Sequence, residues 1–194
     1  MAKTKNTPEE ENVSQVTADS GIRCMVAQSK DGVSKIAETL DDGWAADGVA
    51  LVDGEDHTLL ILALTESLLA FGGNESQDLE EDVASPSMVG LDGEQRSAFL
   101  INFYGNQKKK VPALNACTEF GWLPSGGEMA LIYANKTAIN EKLDALGGTV
   151  LDDGRYWTSQ RFSNDRMWSC NMADGTFGIA LGTASKAGVR AVKK

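Results

Sequence analysis

Histidine occurs once in this sequence, at position 57, and the three cysteines, Cys24, Cys117 and Cys170, stand far apart. Zinc sites need Cys and His ligands at short, characteristic spacings. None is present, so no metal site and no cofactor is expected, and the thiols read as small apolar core residues. Also missing are Gly-x-Ser-x-Gly, Gly-x-x-x-x-Gly-Lys-Ser/Thr and His-Glu-x-x-His, the patterns that position a nucleophile, a phosphate cradle or a zinc pair. The sequence therefore predicts a protein that is not an enzyme. No run approaches the roughly 20 apolar residues of a membrane-spanning helix, which predicts no membrane span.

Basic residues are in deficit too. Lys and Arg total 18 against 28 Asp and Glu, a net charge of −10. Nucleic-acid binding is driven by basic side chains neutralising phosphates, so no nucleic-acid partner is expected. The deficit is uneven, because from Arg155 onward seven basic residues face two acidic ones. The C-terminal segment is the positive end of an acidic chain, suited to anionic partners such as acidic surface glycans.

What is present is organised around the C-terminal third. Ser125 and Glu128 have the spacing of a capping box, in which hydroxyl and carboxylate reciprocally satisfy the open N–H groups at a helix start. Met129, Ile132 and Tyr133, then Ile139, Leu143 and Leu146, continue an amphipathic stripe. Asn135-Lys136-Thr137 is placed to interrupt it and Gly147-Gly148 to end it. Beyond the glycines the period becomes two. Residues 167–172 and 177–181 alternate on either side of Asp174-Gly175, which predicts a hairpin with a two-residue turn. That register pairs Trp168 with Leu181, Cys170 with Ile179 and Met172 with Phe177 on a core face. It leaves the other face to solvent.

Upstream, Met1–Ser20 is polar and acidic, with no apolar core after its lysines, and reads as a flexible tail rather than a secretory signal. The tail is a candidate docking segment for a larger assembly. Residues 21–28 predict a strand. Val33, Ile36, Ala37 and Leu40 predict a short helix over 32–40, and residues 48–52 and 58–64 a hairpin. His57 at its turn reads as a surface residue. The acidic run Leu79-Glu80-Glu81-Asp82 lacks the Asp-x-Asp-x-Asp-Gly pattern of a calcium loop and reads as solvated charge, as does Lys108-Lys109-Lys110. Residues 93–104 and 111–120 predict two further helical segments.

The Trp122-Leu123-Pro124-Ser125-x-x-Glu128 helix opening, the paired glycines, Tyr156-Trp157-Thr158-Ser159, the aromatic hairpin and the terminal Val189-Arg190-Ala191-Val192 together resemble one family. It comprises the C-type-lectin-fold ligand-binding domains of phage tail and fibre proteins and of gut bacteria, and the likeness extends more weakly upstream to about Gly48. Many such domains are variable proteins diversified by retroelements. The resemblance implies an α+β, C-type-lectin-like domain over residues 21–194, with small antiparallel sheets, two or more helices and a C-terminal β-hairpin. It also implies a binding role, toward a protein or glycan ligand on a cell surface.

The tail at residues 1–20 would then meet virion or fibre subunits. The protein would reach the virion or cell exterior without a classical signal peptide, being cytoplasmic before release. A small homo-oligomer would add avidity. The Glu-Pro-Asn and Trp-Asn-Asp calcium motifs of animal lectins are absent, which argues against calcium-dependent sugar binding. The active-site cysteines of the formylglycine-generating enzymes, which resemble this fold, have no counterpart beside Cys170. The expected binding surface is the outward set on and before the hairpin: Gln160, Arg161, Asn164, Asp165, Arg166, Met167, Ser169, Asn171, Ala173, Thr176, Gly178 and Ala180. A structural virion or fibre decoration protein without ligand specificity is the alternative function, and a formylglycine-generating-type enzyme a remote one.

Overall fold

The structure, a computed structural model, describes residues 21–72, 92–106, 111–162, 166–182 and 184–194. The acidic tail, the 79–82 acidic run, the lysine triplet, Asn164 and Asp165 lie outside these residues. Within them the protein is α+β, built on two five-stranded sheets that are antiparallel apart from one pairing.

The first sheet holds β1 (Arg23–Lys30), β2 (Val33–Ala37), β3 (Ala45–Val52), β4 (Thr58–Ala63) and β10 (Val192–Lys193), in the order β10-β4-β3-β1-β2. The expected helix over 32–40 is instead the strand β2, paired antiparallel with β1. Asp31 and Gly32 both take positive φ, 52° and 80°, the geometry of a two-residue hairpin turn. Pairing with a waiting strand outweighs the helical spacing of Val33, Ile36 and Ala37, since local propensity is a weak prior. The predicted hairpin of β3 and β4 is present. Its turn is organised by Asp53, whose carboxylate accepts the backbone N–H groups of Glu55 and His57. His57 is exposed, as its position implied.

The second sheet holds β5 (Ser67–Ala70), β6 (Arg155–Arg161), β7 (Arg166–Asn171), β8 (Phe177–Leu181) and β9 (Lys186–Val189), in the order β5-β9-β6-β7-β8. Each of its faces packs over much of its area. On one lie α1 (Gly93–Asn106) and α2 (Pro112–Asn115), with a core of Phe71, Leu100, Tyr104, Leu114, Cys117, Trp157 and Met167. Only Pro112–Asn115 of the expected 111–120 helix forms an α-helix. The other face meets α3 (Gly126–Ala134) and the first sheet, in a core of Val49, Leu51, Leu60, Leu62, Met129, Ile132, Tyr156, Cys170 and Met172.

The helix signals hold. Ser125 accepts the Glu128 N–H while the Glu128 carboxylate accepts that of Ser125 at 2.7 Å, a complete capping box. Asn135 separates α3 from α4 (Lys136–Ala145). At the end of α4, Gly147 takes φ 69° and the Gly148 N–H reaches the Leu143 carbonyl, the glycine-capped ending of a Schellman motif.

The C-terminal chain ties the sheets together. It leaves β9 in the second sheet, turns through Arg190 and Ala191, and enters the first sheet as β10, beside β4. Trp122 and Val192 exchange backbone hydrogen bonds across this junction. Gly121 is glycine for a steric reason, since a Cβ there would strike the Val192 carbonyl. The first and last strands share a sheet without adjoining, with β3 and β4 between them.

Candidate functional site

The C-terminal hairpin forms with a register two residues away from the sequence expectation. Trp168 pairs with Ile179, Cys170 with Phe177, and Arg166 with Leu181. The physical reason lies in the loop. Asn171 pairs with Thr176 through its backbone N–H, and the Gly175 N–H returns to the Asn171 carbonyl. Asn171 Oδ1 accepts the Ala173 N–H, and Asp174 Oδ1 accepts the N–H and hydroxyl of Thr176. These side-chain acceptors stabilise a four-residue loop over the tighter turn. The Thr176 hydroxyl, more than any other group, holds the Asp174 carboxyl below its ordinary range.

A shift of two preserves which residues share a face but changes what covers them. Trp168, Cys170, Phe177 and Ile179 still lie on one side, yet α3 reaches only the Cys170 and Met172 end, where both residues are buried. At the other end the same face opens to solvent. Trp168 is half-buried, Ile179 and Leu181 are exposed, and Phe162 stacks edge-on against Trp168 at 5.5 Å between ring centres. The Phe162 N–H bonds the Arg166 carbonyl, which closes this end of the β6–β7 pair. Phe162, Trp168, Ile179 and Leu181 therefore form an aromatic and aliphatic patch, edged by the exposed Arg166.

Several expected binding residues point elsewhere. Gln160, Arg161, Met167 and Ser169 are 0–3% exposed; the expectation that they face solvent is corrected. The alternation of residues 167–172 implied one wet face, but the Met167 and Ser169 side of β7 is covered, as is the Cys170 and Met172 end of its other side. Met167 packs into the α1–α2 core. Ser169 donates to the Gly178 carbonyl and accepts from the Arg155 guanidinium. The strand β6 also bulges between Trp157 and Arg161. That bulge carries Ser159 under Pro124, whose carbonyl accepts its N–H at 2.7 Å. Arg166, Ala173 and Thr176 are exposed, and Asn171, Gly178 and Ala180 are half-buried. Phe162, Trp168, Ile179 and Leu181 were not among the expected surface residues, because an apolar alternating strand face reads as core. The available signal was that α3, nine residues long, is too short to cover a whole hairpin.

Two buried polar centres brace this scaffold. Arg190, fully buried, donates to the carbonyls of Ala63 and Thr149 and to Glu66, and Glu66 also accepts the Tyr156 hydroxyl. Burial, reinforced by Glu66, pushes the Tyr156 hydroxyl pKa up. The second centre is Glu128, which takes the Trp122 indole N–H as well as the Ser125 N–H. Burial raises the Glu128 pKa despite these donors.

The unfolded chain therefore loses the Glu128 proton from about pH 4.5 upward, while the folded protein keeps it to higher pH. Folding binds the proton in that window, so the Glu128 contribution to stability falls as pH rises through it. Glu128→Gln should remove this fall and keep an acceptor for Ser125. Denaturation of the two proteins across pH 4–8 should show the variant gaining on the parent as pH rises. Parallel curves would show that Glu128 titrates alike in both states.

The remaining chemistry is quiet. Burial raises the thiol pKa of Cys117 to about 12 and those of Cys24 and Cys170 to about 11, which suppresses the thiolate. Among the described residues no three His, Cys, Asp or Glu side chains group to hold a metal ion, and no helix is long and apolar enough to cross a membrane.

No protein-family model matches the chain. Over 126 residues, 65% of its length, it is 27% identical to a carbamate kinase of Halobacterium salinarum, of which it spans 37%. This likeness corrects the expectation that the chain is not an enzyme, since a partial relative is named for a catalytic activity. Among solved structures it is similar to a fimbrial protein from Bacteroides ovatus, with a TM-score of 0.55 and 15% identity. That match covers 69% of this chain and 35% of the other. At such identity the likeness bears on fold alone, and it agrees with small sheets carrying few helices. The chain spans little more than a third of either protein.

Proposed function

We propose that the protein is a ligand-binding domain of C-type-lectin-like fold, related to the phage tail and fibre proteins and retroelement-diversified variable proteins that its C-terminal motifs resemble. Its working surface is the exposed face of β7 and β8, presented to a ligand or host-cell receptor outside the cell or on a virion. The observation that carries this reading is the open patch of Phe162, Trp168, Ile179 and Leu181 beside Arg166. Large apolar residues exposed together on a rigid scaffold mark interaction sites, and aromatic and arginine side chains dominate their energetics. Subunit contacts in a virion or fibre are a second use of the same patch, favoured by the fold likeness to a fimbrial protein.

Trp168→Ala and Arg166→Ala should each lower binding to host cells or to an arrayed ligand set by at least tenfold. Arg166→Ala should leave the thermal midpoint nearly unchanged, as for a surface position. The expected binding residues Ala173 and Thr176 lie in the loop at the far end of the hairpin, where substitution should alter binding less. Retained binding in both patch variants would overturn this surface assignment.

The likeness to carbamate kinase supports a second reading, phosphoryl transfer involving carbamate. Purified protein incubated with ATP and carbamate, and assayed for ADP, tests it directly.

A further inference from the structure

The sheet that carries the patch ends in an edge strand that is built to pair with itself. Edge strands expose a row of unpaired backbone groups, and proteins blunt them with charges, prolines or bulges. The outer strand β8, Phe177-Gly178-Ile179-Ala180-Leu181, has none of these. The other edges differ: β2 carries Lys35, β10 is two residues ending at Lys193, and β5 is four residues long with Leu68 its one strongly exposed large side chain.

The ladder fixes which groups of β8 face outward. Asn171 hydrogen-bonds Thr176, and bonded pairs alternate along an antiparallel ladder, so Gly178 and Ala180 direct their backbone groups at β7. Those of Phe177 and Ile179, and the N–H of Leu181, then point to the outer edge, where no strand among the described residues pairs with them. Along this edge the side chains run large, small, large, small, large, and the pattern reads the same from either end. An antiparallel copy centred on Ile179 sets Phe177 against Leu181, Ile179 against Ile179, and Gly178 against Ala180. Faces match because the paired positions differ by an even number of residues. Charge opposes the contact little: Arg155, whose guanidinium lies against Gly178, Arg166 and Asp174 leave a single net positive charge on the hairpin and its cover, although the whole chain is strongly acidic.

The geometry points to a second copy of this chain as the occupant of the β8 edge, joined through a two-fold axis at Ile179 into a continuous ten-stranded sheet. Such an interface is isologous and closes on itself. A five-residue strand seam is about 17 Å long, and with flanking side chains it falls at the small end of specific interfaces. The dimer is therefore reversible and concentration-dependent. It places two Phe162–Trp168 patches side by side on one face, which makes the ligand surface bivalent without covering it.

Sedimentation equilibrium of the full chain, from low micromolar to near-millimolar protein, should show the mass rising from 20.7 kDa toward twice that value. Ile179→Lys should remain monomeric at every concentration. Ile179→Pro, which deletes an outward N–H and leaves the β7 ladder intact, should do the same. Leu68→Lys on the opposite edge should dimerise as the parent does. Far-UV circular dichroism confirms folding of each variant. As a register test, Ile179→Cys treated with diamide should form a covalent dimer, since directly opposed residues about 5.5 Å apart suit a disulfide. Ala180→Cys and the parent should not crosslink. A parent that stays monomeric throughout, or a dimer that survives Ile179→Lys and crosslinks through position 180, overturns the proposal.

Discussion

Arg190→Ala is expected to cost about 3–5 kcal/mol, a large fraction of the roughly 5–15 kcal/mol that keeps a domain folded. The residue is fully buried at the crossover between the sheets, and its guanidinium joins the Ala63 carbonyl, the Thr149 carbonyl and the Glu66 carboxylate. Truncation removes the Arg190 donors from two carbonyls and leaves Glu66, among the described residues, with the Tyr156 hydroxyl as its side-chain partner. Removing one member of a buried ion pair costs far more than replacing the pair with apolar groups. Arg190→Met combined with Glu66→Gln should therefore recover part of the loss. Urea denaturation of the two single variants and the double variant measures the coupling. Additive losses would mean that the pair contributes nothing as a pair.

Trp157→Ala should cost a similar amount, about 3–5 kcal/mol, as for a buried aromatic, while Trp168→Ala should cost about 1 kcal/mol. Trp157 is 0% exposed, meets the Phe71 ring edge-on at 5.9 Å, and donates its indole N–H to the Leu69 carbonyl at 2.8 Å. It joins β6, β5 and the α1–α2 layer in one contact set. Trp168 is half-buried, and its ring meets the exposed Phe162 edge-on. Thermal melts of the two variants separate a scaffold tryptophan from a surface one. Equal losses would show that the Trp168 end of the hairpin is as well covered as the centre of the sheet.

The contrast between these tryptophans shows how far the sequence alone reaches. Signals closed within a few residues were legible: the Ser125–Glu128 capping box, the Gly147-Gly148 ending, the break at Asn135 and the β3–β4 hairpin all form as their residue types require. Each is settled by groups that the chain brings together locally. Residues 32–40 failed because their helical spacing was read without the strand that pairs with them. Asp31-Gly32, a turn signal in its own right, was there to be weighed against it.

What the tertiary structure alone decided is which faces are covered. Alternation along residues 167–172 fixes that Trp168 and Cys170 share a side. It is silent on whether a helix reaches both ends of that side or a second layer lies over the opposite one. Because α1 and α2 cover Met167, and a bulge turns Gln160 and Arg161 inward, polar residues expected at a binding surface are buried. Because α3 stops short, apolar residues expected in the core are exposed. Parity is a property of the backbone, but coverage depends on contacts between residues far apart in the chain, such as those of Phe71 with Trp157 and Glu66 with Arg190.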